Sequence, residues 1–320
     1  MFKLVKKILP EPFEAKTAFS KTMDEMASAD ENVIYLDCDL MASIDMTEFA
    51  KKFPTRAINC GIQEANMIGV ACGASLIGLK PFTHTFGPFA TRRVIDQIYI
   101  SGAYGKTNIK MIGSDAGVTA MYNGGTHMPV EDMGLLRTIP DVTLLEPTDS
   151  VMMCDLLRQI KDLDGVYYMR VTRKVTDQIF EEGSTFEIGK ALTLKEGSDI
   201  TIITSGCCTS DVLHAHEELA TQGINAEVIN IFTWKPIDAE AIINSAKKTN
   251  AVLIVENHNI INGLGSAVCE ILSENIPVIS KRLGVPDRFG EVGSMEYLKE
   301  TFGMSIADIV TAAKELINKK

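Results

Sequence analysis

The sequence predicts an α/β protein, with a mainly parallel sheet covered on both faces by helices and a second, smaller α/β unit after it. Two observations point there. Short apolar runs alternate with helix-period segments along the 320 residues, which is the mark of strand–helix units. The apolar runs carry few charges, as strands do when both sheet faces are covered. At about 150 residues per domain the length suggests two units.

A helical stretch over 15–29 leads into an apolar run at 33–38. A Gly-rich helical stretch over 61–79 comes next, then a strand at 81–86 and a helix over 91–104. Strands at 109–114, 142–146 and 166–171 alternate with helices over 130–138 and 150–163. Residues 177–186 are polar and irregular and read as a linker. That places the boundary near 185, with a first domain at 1–185 and a second at 186–320. The second domain starts with a strand at 200–204, a helix over 210–222 and a strand at 226–231. A helix over 239–248, a strand at 252–255 and a helix over 264–273 continue the alternation. The amphipathic tail at 306–317 is expected to pack back on this domain.

Composition narrows the function. Hydrophobic residues make up 46% of the chain and charged ones 23%, enough to bury a sizeable core. The net charge of −11 disfavours nucleic acid, whose phosphates need clustered Lys and Arg. It leaves room for a local basic pocket that takes an anionic substrate. The seven cysteines are odd in number and form no CxxC, which fits reduced thiols in a cytoplasm better than disulfides or zinc. The basic start, Met1-Phe2-Lys3-Leu4-Val5-Lys6-Lys7, leads into no signal-peptide-like apolar stretch. No run of about 18 apolar residues suggests a membrane helix.

One acid stands out. From Gly61 to Leu79 the only charge is Glu64, in the first turn of an otherwise nearly uncharged helix. A carboxylate there is either an acid favoured by the helix dipole or a buried group with a partner. Phe86 and Phe89, three residues apart after a strand end, are either two core aromatics or a stacking surface. Asp39, in Asp37-Cys38-Asp39-Leu40, follows a strand where α/β sites commonly lie.

Taken in order, Gly61-Ile62-Gln63-Glu64-Ala65-Asn66-Met67-Ile68-Gly69, Thr83-His84-Thr85-Phe86-Gly87-Pro88-Phe89, Gly124-Gly125-Thr126-His127 and Val255-Glu256-Asn257-His258 closely resemble the pyrimidine-binding half of thiamine-diphosphate enzymes. Among those, the chain is most similar to the C-terminal section of a transketolase, over essentially its whole length. The resemblance implies a pyrimidine-binding fold followed by a smaller transketolase C-terminal domain. It implies thiamine diphosphate as cofactor, with Glu64 as the carboxyl that meets the aminopyrimidine and Phe86 and Phe89 stacking on that ring. Asp39 would lie near the thiazolium. His127, Ser43 and Arg170 match positions that contact substrate, Ser43 and Arg170 as anion contacts, with Arg173 nearby. Glu64 and His127 are thus the expected catalytic residues.

The departures bear on the substrate. Asn123 stands where an aspartate reads a sugar hydroxyl, Asp115 where a substrate-binding histidine is usual, and Lys16 where a phosphate-binding arginine is usual. Sites that hydrogen-bond substrate discriminate strongly when one partner changes. The expectation is a non-standard sugar, such as 6-deoxy-6-sulfofructose or apulose 4-phosphate. The Gly-Asp-Gly motif that binds Mg²⁺ in such enzymes is absent. No metal ligand is therefore expected in this chain, and the Mg²⁺ of the coenzyme is expected on an N-terminal-type partner subunit in an α₂β₂ assembly.

Alternatives weighed on the same residues are the β subunit of a 2-oxoacid dehydrogenase E1 component, a 1-deoxyxylulose-5-phosphate synthase, and a non-catalytic regulatory subunit on this fold. Gly263-Leu264-Gly265 is an incomplete phosphate-cradle motif, and Cys207-Cys208 reads as packing.

Overall fold

The computed structural model describes residues 1–320 and holds two large sheets and a ribbon. The first sheet has seven strands. Running across it are β12 (Thr233–Lys235), β6 (Val142–Leu145), β7 (Val166–Val171), β5 (Ile109–Ser114), β4 (Lys80–Phe86), β2 (Val33–Asp37) and β3 (Ala57–Asn59). All pairings are parallel except that of β12 with β6. Strand β2 and strands β5 and β7 are buried at every residue, as expected with helices on both faces.

The second sheet runs β14 (Ile279–Val285), β13 (Ala251–Asn259), β10 (Ile200–Thr204), β11 (Ala226–Asn230) and β9 (Leu192–Lys195), with β9 the antiparallel edge. Helices Cys208–Thr221, Ala239–Thr249 and Leu264–Asn275 cover it. The tail helix Ile306–Ile317 opens with a capping box at Ser305 and Asp308, and packs on the helix Cys208–Thr221 and on β13. The sequence expectation for residues 177–186 needs correcting. The stretch read as a linker contains β8 (Asp177–Phe180), paired antiparallel with β1 (Leu4–Pro10). Strand β12, far along the chain, closes the edge of the first sheet.

Two buried clusters each draw on both sheets. Leu145, Phe186, Ile202 and Phe232 belong to a continuous buried cluster. Asn257 at the end of β13 locks the halves together. Its Oδ1 accepts from the Val118 amide at 2.8 Å and its Nδ2 donates to the Ala116 carbonyl at 2.8 Å. Burial pushes the neighbouring Glu256 carboxyl up to about 8 and His258 down to about 4. Both groups are therefore held neutral where the halves meet.

The helix expected over 61–79 starts at Glu64 itself and ends at Leu76. Gly61, at φ 68°, makes the turn that precedes it. The helix expected over 91–104 is instead one short α-turn, Ile95–Gln97, followed by a π-helical stretch, Ile98–Tyr104.

Candidate active site

The strand ends of the first sheet carry the site, as is usual in α/β folds. Beneath them lies a buried polar chain. His84 on β4 places Nδ1 3.1 Å from Asp37 on β2 and Nε2 3.0 Å from Ser114 on β5, while the Tyr35 hydroxyl donates to Asp37 at 2.8 Å. The other oxygen of Asp37 accepts from the Leu40 amide. This network fixes the turn that presents Asp39 and Ser43. Asp39 is exposed at φ 64°, with its amide donating to Asn59 and its carboxylate accepting from the same side chain at 3.2 Å.

Glu64 lies only 3% exposed at the first position of its helix, where the helix dipole favours an anion. Its Oε1 accepts from Arg93 at 2.7 Å; the other oxygen has no partner within the chain. Arg93 is also stacked on Phe89, 4.0 Å from the ring centroid. Beside Glu64, burial pushes the Cys38 thiol up to about 12, and the carboxylate adds to the effect. The acid is therefore buried beside a raised-pKa thiol, with one oxygen on an arginine that stacks on Phe89 and the other oxygen unpaired within the chain.

The Phe89 ring belongs to a cluster. Phe86, Phe89 and His127 meet with centroids 6.3 Å, 5.6 Å and 5.2 Å apart, the imidazole edge-on to both phenyl rings. Gly87 makes the cluster possible. A Cβ there would lie 2.6 Å from the Pro129 ring, so only glycine lets the loop carrying His127 close onto Phe86. Thr126 holds His127 through Nδ1 at 2.8 Å, leaving Nε2 without a partner.

A cavity of about 600 Å³ opens beyond Phe86, between the two halves. Its walls include Asp115, Asn123, Arg173, Lys174, Cys207 and Lys299. Arg173 reaches across from it to Phe86, 4.9 Å from the ring centroid. Its Nε and Nη2 each donate to Asp115 at 2.7 Å, and its Nη1 donates to the Ser43 carbonyl at 2.9 Å. Asn123 donates to the same Asp115 at 3.0 Å. Lys16 pairs with Glu14 at 3.0 Å and Asp45 at 3.3 Å.

Glu64, Phe86, Phe89 and His127 thus form one group, and Ser43, Asp115, Asn123 and Arg173 an adjoining one. Arg170 joins neither. It is 1% exposed under the sheet end, ion-paired to Asp132 and Glu146 at 3.1 Å each and donating to the carbonyls of Pro129 and Asn257. Its guanidinium is enclosed by these groups inside the protein, and the arginine that lines the cavity is Arg173, just beyond the end of β7. Sequence reasoning also gave Arg93 no role, although it closely follows the Phe86–Phe89 segment. No group of three or more His, Cys, Asp or Glu side chains is placed to hold a metal ion. No helix is long and apolar enough to cross a membrane.

Residues 11–178 match the family Transketolase, pyrimidine binding domain, and residues 189–309 match Transketolase, C-terminal domain. The chain belongs to the transketolase family. It is 47% identical over 317 residues to the 6-deoxy-6-sulfo-D-fructose transketolase subunit SqwH of Clostridium sp. (strain MSTE9), covering 97% of this chain and 98% of that one. It is 32% identical to an apulose-4-phosphate transketolase subunit of Phocaeicola vulgatus, over 95% of this chain and 97% of that one. Among solved structures, a split gene transketolase in an inactive beta4 tetramer superposes with a TM-score of 0.89 at 36% identity, covering 96% of this chain and 99% of that one. Membership in this family implies thiamine diphosphate as the coenzyme.

Proposed function

We propose that this transketolase-family chain is the pyrimidine-binding half of a two-chain enzyme that moves a two-carbon ketol unit from a ketose to an aldose. The observation that carries this reading is Glu64, a buried carboxyl with one oxygen free and the other held by Arg93, which is itself stacked on Phe89 of the aromatic cluster. These residues fit a flat, cationic-to-neutral heterocycle with a ring nitrogen to share a proton. Thiamine diphosphate, when bound, supplies the carbanion chemistry that the side chains lack.

The chain's own residues divide the remaining work. Glu64 holds a proton at the ring nitrogen through its free oxygen, in an apolar surround that strengthens such a bond. Phe86 and Phe89 take the ring face by offset stacking, and Asp39 lies on the neighbouring loop. His127 offers Nε2 to a substrate hydroxyl, as acid or base. Lys16, Ser43, Asp115, Asn123 and Arg173 meet the remaining hydroxyls and the anionic tail.

The diphosphate and its Mg²⁺ fall to a partner of transketolase N-terminal type, since the Gly-Asp-Gly motif is absent here. Two such αβ pairs, joined to each other, make the α₂β₂ assembly. A face for it is present. Gly69, Val70, Gly73 and Leu76 lie exposed along the helix that begins with Glu64, flanked by Ile77, Tyr99, Ile100 and Tyr104. An apolar face of this kind is characteristic of permanent interfaces. The free thiols suit a reducing cytoplasm.

For the substrate, the names of the two relatives and the departures at Lys16, Asp115 and Asn123 favour a sulfosugar or a branched-sugar phosphate over the ordinary pentose phosphates. Reconstitution with an N-terminal-type subunit tests this. The complex should turn over 6-deoxy-6-sulfofructose or apulose 4-phosphate with an aldose acceptor. Efficient turnover of xylulose 5-phosphate with ribose 5-phosphate, and neglect of the other donors, would overturn the substrate assignment.

A further inference from the structure

The cavity between the halves is unusual in its charge. Arg173, Lys174 and Lys299 line it, against the acids Glu14, Asp115, Asp177 and Glu296. Each of the three cations is already paired: Arg173 with Asp115, Lys174 with Glu14 at 3.5 Å, and Lys299 with Asp211 at 2.5 Å. Lys16, just outside, is shared by Glu14 and Asp45. No cation near this wall is left unmatched.

Arg173 is the one that faces both the cavity and the aromatic cluster. A guanidinium has five N–H donors. Two go to Asp115 and one to the Ser43 carbonyl. Two remain, so the side chain can still grip an oxyanion, but with its charge cancelled by a carboxylate 2.7 Å away. Asp115 is itself held in place. It is 1% exposed, sits at φ 65°, and accepts a further bond from Asn123.

We propose that Asp115 is a specificity-determining residue: by neutralising Arg173 while leaving two of its N–H groups free, it selects a monoanionic end group, a sulfonate, over a dianionic phosphate monoester. The inference rests on the reading of this site as one for an anionic sugar, and narrows it. A single negative charge with three oxygens satisfies the two spare donors. A second negative charge would face Asp115, Glu14 and Asp177 with no free cation to meet it, and like charges at short range repel.

Every lining residue invoked here belongs to this chain, so direct binding to the full chain tests their charge preference. The probes are 2,3-dihydroxypropane-1-sulfonate and glycerol 1-phosphate, which share the dihydroxypropyl tail; the phosphate has one more ester oxygen, unchanged between the two pH values, so the effect of pH on the gap isolates the charge. Isothermal titration calorimetry at about pH 8 and about pH 5.5 brackets the second ionisation of a phosphate monoester, near pH 6. The sulfonate keeps one charge at both, so it reports any change in the protein.

At the higher pH the sulfonate should bind at least about tenfold tighter. At the lower pH the gap should shrink to within about threefold, because the phosphate then carries one charge. Asp115→Asn should close the gap at the higher pH by strengthening phosphate binding about tenfold. Equal affinity for both probes at the higher pH, a gap unmoved by pH, or binding of neither probe would overturn the proposal. The wild-type comparison stands even where the variant folds poorly. Ketol transfer by the reconstituted pair without a sulfonate preference would remove this inference alone. A sulfonate preference without ketol transfer would remove the functional reading alone.

Discussion

Replacing Arg170 with methionine separates two roles for an arginine at the end of a central strand. In this structure its side chain is shut from solvent, paired to Asp132 and Glu146, and bonded to the carbonyls of Pro129 and Asn257. Arg170→Met keeps the apolar stem but strands two buried acids. Breaking a buried ion pair by removing one partner costs about 3–5 kcal/mol. Part of that loss is relieved as Glu146, already pushed upward by burial, takes a proton. At roughly 2 °C or a little more per kcal/mol for a chain of this size, the melting temperature should fall by at least about 6 °C. Differential scanning calorimetry and urea unfolding would read it. The same variant should leave the binding of small anions to the folded protein unchanged, because Arg173 and not Arg170 reaches the cavity. A variant with wild-type stability and lost anion binding would refute this reasoning and restore Arg170 as a substrate contact.

Glu256→Gln should be stabilising in alkali. Burial lifts this carboxyl to about 8, whereas in the unfolded chain it titrates near 4.3. Between those values the native state binds a proton that the unfolded state does not, so the contribution of this group to stability falls as pH rises. The glutamine should raise the melting temperature at about pH 8 and match wild type near pH 5; an equal effect at both pH values would contradict this. Leu76 and Ile77, 73% and 79% exposed, should tolerate a double change to aspartate with little loss of stability but lose subunit association by sedimentation velocity. Unchanged association would place the interface elsewhere.

Much of this architecture could be read from the residues. The parallel strands at 33–38, 81–86, 109–114 and 166–171 are uncharged or nearly so because they are covered on both sides, and that pattern is visible in one dimension. Glu64 was legible because an isolated charge in an apolar helix demands an explanation. What escaped depends on partners distant in sequence. The β1–β8 ribbon joins two segments rich in Lys, Asp and Gln, whose pairing with each other no local pattern announces. Strand β12 is three residues long and pairs with a sheet built mostly from the other half.

Arg170 and Arg173 show the same limit at one site. They are three residues apart, and only the strand end decides between them. Arg170 is still in register opposite Gly113 and is driven into the interior, while Arg173 lies past the last pairing, at Val171. The positive φ values of Asp115 and Met121 on the cavity wall, and of Asp39 at its strand end, leave no trace in the residue types beyond a tolerance of aspartate for that conformation.

The central claim is that the free oxygen of Glu64 meets the coenzyme. Ketol transfer by Glu64→Gln, assembled with an N-terminal-type subunit and supplied with thiamine diphosphate and Mg²⁺, measures it most directly. The account predicts a fall in kcat of roughly 10²–10⁴-fold, with assembly of the two subunits intact by sedimentation. A rate near that of the wild-type pair would contradict it.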